Sequence, residues 1–142
     1  FDFTGCNEVV FCGYGEPTMA LENLIEVSKY VRARYPFKIR LNTNGLSDLI
    51  HNRSTAKDVC QAVDSVSISL NMPDAASYNE VVRPAYGEKS FDAMLKFARD
   101  CKQYIDDVRF TVVDVIGEEK VEQSKIVAAQ NGIPLRVRKY SP

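Results

Sequence analysis

Short apolar runs of strand length alternate along this sequence with longer stretches in which apolar residues return every three or four positions. Glu8-Val9-Val10-Phe11-Cys12 is rich in β-formers and closed by Gly13, which predicts a strand buried on both faces. A helix follows, with Thr18 at its cap, Leu21, Leu24, Ile25, Ser28 and Val31 on one face, and Tyr35-Pro36 as its stop. Lys38-Ile39-Arg40-Leu41 predicts the second strand, ending in Asn42-Thr43-Asn44-Gly45. Thr55-x-x-Asp58 then has the spacing of a capping box that opens a helix as far as Val63. Ser65-Val66-Ser67-Ile68-Ser69-Leu70 predicts the third strand. Asp74 can cap a short helix, and Ser90 a longer one whose Phe91, Met94, Leu95, Ala98 and Cys101 share a face. Residues 108–115 read as the fourth strand, and residues 118–130 as a helix ending at Asn131-Gly132. Leu135 and Val137, flanked by Arg136 and Arg138, make the fifth strand.

Five strands alternating with helices, uninterrupted by a Pro-rich linker, predict right-handed βα units around a parallel sheet in a single α/β domain spanning residues 1–142. An open doubly wound sheet and part of a (β/α) barrel produce the same alternation, so periodicity does not choose between them.

Composition narrows the partners. The 142 residues hold 18 Lys and Arg against 19 Asp and Glu, so a net charge of −1 gives no electrostatic ground for a nucleic acid or an anionic membrane surface. No apolar run approaches the roughly 20 residues of a membrane span, and no basic segment leads into an apolar one, so a cytoplasmic protein is expected. Cys6, Cys12, Cys60 and Cys101 are far apart, without the close pairs of a zinc or redox motif, and each singly reads as a reduced, packed thiol. The chain opens on Phe1 with a strand only a few residues later, which reads as a fragment joined in mid-domain.

Parallel α/β folds carry their chemistry at the C-terminal ends of strands, where loops and helix N-termini converge. Those ends hold the unusual residues here. In Gly13-Tyr14-Gly15-Glu16-Pro17 the glycines admit close backbone approach, Pro17 stiffens the exit and Glu16 offers a carboxylate to a cation such as an ammonium. Composition alone favours a plain strand-to-helix turn. Asn42-Thr43-Asn44-Gly45 supplies amides and a hydroxyl suited to a ribose or peptide-like group, and Asn-Gly is equally a common turn. Ser67 and Ser69 alternate toward one face with Asn71, as groups lining a cavity or as hydroxyls satisfied by carbonyls. Arg136 and Arg138 share a face of the last strand, placed to pair with a carboxylate or, as the plainer reading, to guard a solvated edge. His51 has no second ligand nearby and reads as a surface histidine.

Together these blocks resemble the radical S-adenosylmethionine (radical SAM) superfamily. Gly13-Tyr14-Gly15-Glu16-Pro17 resembles its Gly-Gly-Glu-Pro motif, which follows the second barrel strand and contacts the cofactor's amino group, and Thr43-Asn44-Gly45 resembles the Thr-Asn-Gly ending the third strand. The ordered set, from Val10 through Pro17, Asn42 through Leu46, Ser65 through Asn71 and Pro134 through Arg138, is similar to the TatD-associated radical SAM proteins. The resemblance runs from Glu8 to the C-terminus and implies strands two to six of a six-stranded partial barrel. It further implies that Gly13, Tyr14, Gly15, Glu16 and Pro17 cradle the methionine amine of S-adenosylmethionine. Asn42 and Asn44 would lie near that cofactor, with Ser67, Ser69 and Asn71 facing its ribose or carboxylate.

The family also needs a Cys-x3-Cys-x2-Cys loop whose thiolates hold a [4Fe–4S] cluster, and no such spacing occurs in this sequence. A whole enzyme of the family reduces its cofactor by one electron, taken from an electron donor, to make a 5′-deoxyadenosyl radical that abstracts a substrate hydrogen. This chain by itself is expected to be inactive in that reaction. A different class of function, a non-catalytic α/β module that binds a small molecule or docks a partner, fits the same residues. An unrelated nucleotide-binding domain ranks last, since no Gly-x-Gly-x-x-Gly or Gly-x4-Gly-Lys-[Ser/Thr] follows any strand.

Overall fold

The computed structural model of the chain describes residues 8–12 and 16–140. Five parallel strands, β1 (Glu8–Phe11), β2 (Lys38–Thr43), β3 (Ser65–Ser69), β4 (Asp107–Val113) and β5 (Leu135–Arg138), form one open sheet in sequence order. The connections are α1 (Leu21–Arg34), α2 (Ser47–His51), α3 (Ala56–Ala62), α4 (Ala75–Val82), α5 (Ser90–Lys102) and α6 (Glu118–Gln130). Parallel crossovers take one hand, so an order that never reverses sends every connection to the same face. That is the winding of a (β/α) barrel, and it excludes the doubly wound sheet that the hydrophobic pattern left open.

The two faces of the sheet differ accordingly. Ile39, Leu41, Val66, Ile68 and Phe110 are fully buried against the helices, each burial stabilising by about 1.5–3 kcal/mol. The intervening positions Arg40, Asn42, Ser67, Ser69 and Thr111 are only half-buried. Asp64 ties the N-terminal ends together: its carboxylate accepts from the Ile39 N–H at 2.8 Å and pairs with Arg32 at 2.9 Å.

Several local expectations are corrected. β1 is an edge strand whose Val9, Val10 and Phe11 are half-buried, because only β2 pairs with it among the described residues. Glu16, not Thr18, makes the N-terminal cap, and it caps a 3₁₀ turn (Pro17–Ala20) that feeds α1. The Thr55/Asp58 capping box does not form, since Asp58 pairs with Arg53 at 2.9 Å and Thr55 is held by Asp48 instead. Ser90 is the first residue of α5 rather than its cap, and its hydroxyl is buried without a partner among the described residues. β4 ends two residues early in a 3₁₀ turn (Asp114–Ile116). Asp74 does cap α4, accepting from the Ser77 N–H at 2.8 Å, and that bond holds its carboxyl below the usual aspartate range. Among the described residues no helix is long and apolar enough to cross a membrane.

Candidate functional site

Chemistry-bearing groups collect in two places, and they differ in whether the protein satisfies them. The first is the junction where the loops after β1 and β2 meet. Glu16 Oε2 accepts from the Thr18 N–H at 2.9 Å, from the Thr18 hydroxyl, and from the Thr43 hydroxyl at 2.7 Å. Its Oε1 accepts from the Asn44 N–H at 2.7 Å. A carboxylate offers about four acceptor positions, so the described residues saturate Oε2 and take one of the two positions on Oε1. Asn44 turns its own Oδ1 back to the Leu46 N–H at 2.9 Å, an Asx turn that opens the way into α2. Gly45 has φ +77°, and a Cβ there would lie 2.7 Å from Met94 Cγ and 2.9 Å from Ile68 Cγ2, so no other residue fits without displacing the core. His51 is half-buried rather than on the surface. Its Nε2 lies 2.6 Å from the Thr18 carbonyl, which only accepts, so this nitrogen carries the proton. Pro17 and Glu16 also border a shallow apolar hollow between Phe11 and α1. Gly13, Tyr14 and Gly15 lie outside the described residues.

The second place is the polar face of the sheet. The two-residue period that buries Ile39, Leu41 and Thr43 turns Arg40 and Asn42 the other way. Strand register sets Asn42 beside Ser67, Ser69 beside Thr111, and Thr111 beside Arg136. Arg40, Asn42, Ser67 and Ser69 line one cavity of about 240 Å³. Thr111, Arg136 and Arg138 complete its wall. Among the described residues no carboxylate lines it. The side chains of Asn42, Ser67, Ser69, Thr111, Arg136 and Arg138 make no hydrogen bond or ion pair with another described residue. Arg40 reaches Glu8 at 3.3 Å through a terminal nitrogen, while its Nε is buried without a partner among the described residues.

Of the residues singled out in the sequence, Asn42, Ser67 and Ser69 therefore share the cavity, and Arg136 and Arg138 join them. Asn44 and Asn71 do not line it. Asn71 sits at the end of β3 with φ +68° and its Nδ2 3.5 Å from the Ser69 carbonyl. Arg40 and Thr111 were missed. The signal for both was present, since each is the polar member of an alternating strand whose neighbours are apolar, as in Ile39-Arg40-Leu41 and Phe110-Thr111-Val112.

The described cysteines do not make a cluster site. Cys12 is exposed at the end of β1, and Cys60 and Cys101 are buried within α3 and α5. Hydrogen bonding with Cys60, together with burial, pushes the Cys101 thiol well above the usual cysteine range, the opposite of what metal ligation needs. Cys6 lies outside the described residues. Among the described residues no group of three or more His, Cys, Asp or Glu stands together in a way that would hold a metal ion.

No protein-family model matches the sequence. No curated protein matches it at a significant level. Among solved structures the chain is similar to a domain of pyruvate-formate lyase-activating enzyme from Bacteroides vulgatus ATCC 8482, with a TM-score of 0.59 and 16% identity, over 92% of this chain and 98% of that one. The likeness is one of fold.

Proposed function

We propose that this chain is the cofactor-binding part of a radical SAM enzyme, with S-adenosylmethionine seated against the polar face of the sheet. The observation that carries the reading is the cavity in which Asn42, Ser67 and Ser69 stand unpartnered by other described residues, at strands whose ends bear the family-like blocks. The similarity in fold to a domain of pyruvate-formate lyase-activating enzyme, itself a radical SAM enzyme, supports it. On this reading the five strands correspond to the second to sixth of a six-stranded partial barrel, and the ordered blocks resemble those of the TatD-associated radical SAM proteins.

The donor set fits the cofactor's polar parts. The Asn42 amide and the Ser67 and Ser69 hydroxyls suit ribose hydroxyls and a carboxylate, which need short neutral donors and acceptors. Oε1 of Glu16 has one acceptor position that no described residue takes, available to the methionine ammonium, within the block Gly13-Tyr14-Gly15-Glu16-Pro17 that resembles the family motif. Asn44 holds Glu16 in place through its N–H, and Asn71 shapes the end of β3. In such an enzyme the cofactor, reduced at a [4Fe–4S] cluster, supplies abstraction of a hydrogen atom from the substrate. The residues here bind, orient and shield. The cluster itself does not fit the cysteines described above, so the isolated chain is expected to bind the cofactor without catalysing its cleavage.

Equilibrium dialysis of S-adenosylmethionine against the 142-residue chain tests the reading. Saturable binding that falls roughly tenfold or more in Asn42→Leu and Ser67→Val, variants that each leave a cofactor group unpaired, is the expected result. A folded chain that does not bind the cofactor at millimolar concentration would end it. The same unpartnered cavity, with no cluster ligands among the described residues, also favours a second reading, a non-catalytic small-molecule-binding module. Binding of other metabolites with indifference to S-adenosylmethionine would select that one.

A further inference from the structure

The charge of the cavity goes beyond what the proposed cofactor can use. Three guanidinium groups, those of Arg40, Arg136 and Arg138, face it, and among the described residues only the Glu8 carboxylate on Arg40 opposes them, an excess of two positive charges. Arg109 lies lower on the same face and is already paired with Asp107 at 3.2 Å. S-adenosylmethionine carries an ammonium and a sulfonium against one carboxylate, so seating it adds positive charge instead of removing it.

We infer that the polar face of the sheet holds a second ligand, an oxyanion with two or more negative charges on a small-molecule substrate, gripped by Arg136 and Arg138 with Arg40 behind them. Arginine suits this task because its planar fork donates two parallel hydrogen bonds to carboxylate or phosphate oxygens. Arg136 and Arg138 have no counter-ion among the described residues, and the buried Nε of Arg40 lacks a partner there. Thr111 stands beside Arg136 to donate a neutral hydrogen bond to the same anion. Guarding the sheet edge would explain charge on β5. It does not explain why arginines from β2 and β5 converge with three hydroxyls and an amide on one cavity. Phosphate ester and polycarboxylate share this chemistry. The inference depends on the proposed function only for treating the anion as that enzyme's substrate, while the anion site itself stands on the geometry.

Calorimetric titration of the 142-residue chain with pyrophosphate, citrate and S-adenosylmethionine, at low salt in a zwitterionic buffer, tests it. Pyrophosphate or citrate should bind at one site, roughly tenfold or more weaker in Arg136→Gln and in Arg138→Gln, and unchanged in Lys125→Gln, where a remote surface cation is removed. Preference for pyrophosphate identifies a phosphate source and preference for citrate a carboxylate one. Absence of binding by either anion at about 10 mM, or equal weakening in Lys125→Gln, overturns the inference. If the arginine variants weaken only S-adenosylmethionine, these side chains serve the cofactor's own carboxylate, and the inference fails while the proposed function stands. If the anions bind and S-adenosylmethionine does not, the proposed function fails and the anion site stands.

Discussion

The junction around Glu16 and the cavity on the polar face are built from the same kinds of residue, yet they do opposite things. At the junction Glu16, Thr18, Thr43 and Asn44 bond to one another across 27 and 28 residues of sequence, and Gly45 packs onto Met94 and Ile68. Across the sheet, Asn42, Ser67, Ser69 and Thr111 have no partner among the described residues, and neither do the two arginines of β5. A polar group satisfied inside the fold stabilises it. One left open in a cavity contributes little to folding and is available to a ligand. Within the motif-like blocks, the loop residues Glu16, Thr43 and Asn44 are thus bonded to one another, while Asn42, Ser67 and Ser69 in the strands carry the open groups.

That contrast predicts how substitutions divide. Gly45→Ala should be the most damaging, costing about 2–4 kcal/mol from its left-handed backbone and from crowding against Met94, read as a lowered urea midpoint. Glu16→Ala should cost about 2–3 kcal/mol by the same measurement, because it strands the Thr18 and Asn44 N–H groups and the Thr43 hydroxyl. A variant as stable as the parent would mean that the junction is not held by this carboxylate.

Asp74→Ala should cost about 1 kcal/mol through loss of the α4 cap. The capped carboxyl titrates lower when folded than when unfolded, so its contribution is fully present above the usual aspartate value. It is lost as pH falls through the folded value, and a urea series at falling pH should show the parent converging on Asp74→Ala. Smallest in stability should be Thr111→Val and Ser67→Ala, within about 0.5 kcal/mol of the parent. Both should nonetheless weaken binding to the cavity. A large loss of stability from either would show that these hydroxyls are structural, and the contrast would collapse.

Much of this was legible in the order of residues. The alternation of strands and helices, the bounds of α6 and β5, the Asp74 cap and the shared face of Ser67 and Ser69 all follow from periods and caps spanning a few residues. The short helix α2, the true cap of the first turn and the edge position of β1 were not legible. Each depends on contacts with distant segments, such as His51 on Thr18 or Glu16 on Thr43 and Asn44.

The sequence by itself determined that the chain would form parallel βα units with polar residues at strand ends, since hydrophobic period and turn chemistry are local. Only the tertiary structure decided that the units wind one way, leaving one face of the sheet uncovered by the described helices. It alone sorted the polar residues into bonded and open sets. Whether a hydroxyl or a guanidinium is satisfied depends on the strand register and on which segments, tens of residues away, arrive beside it.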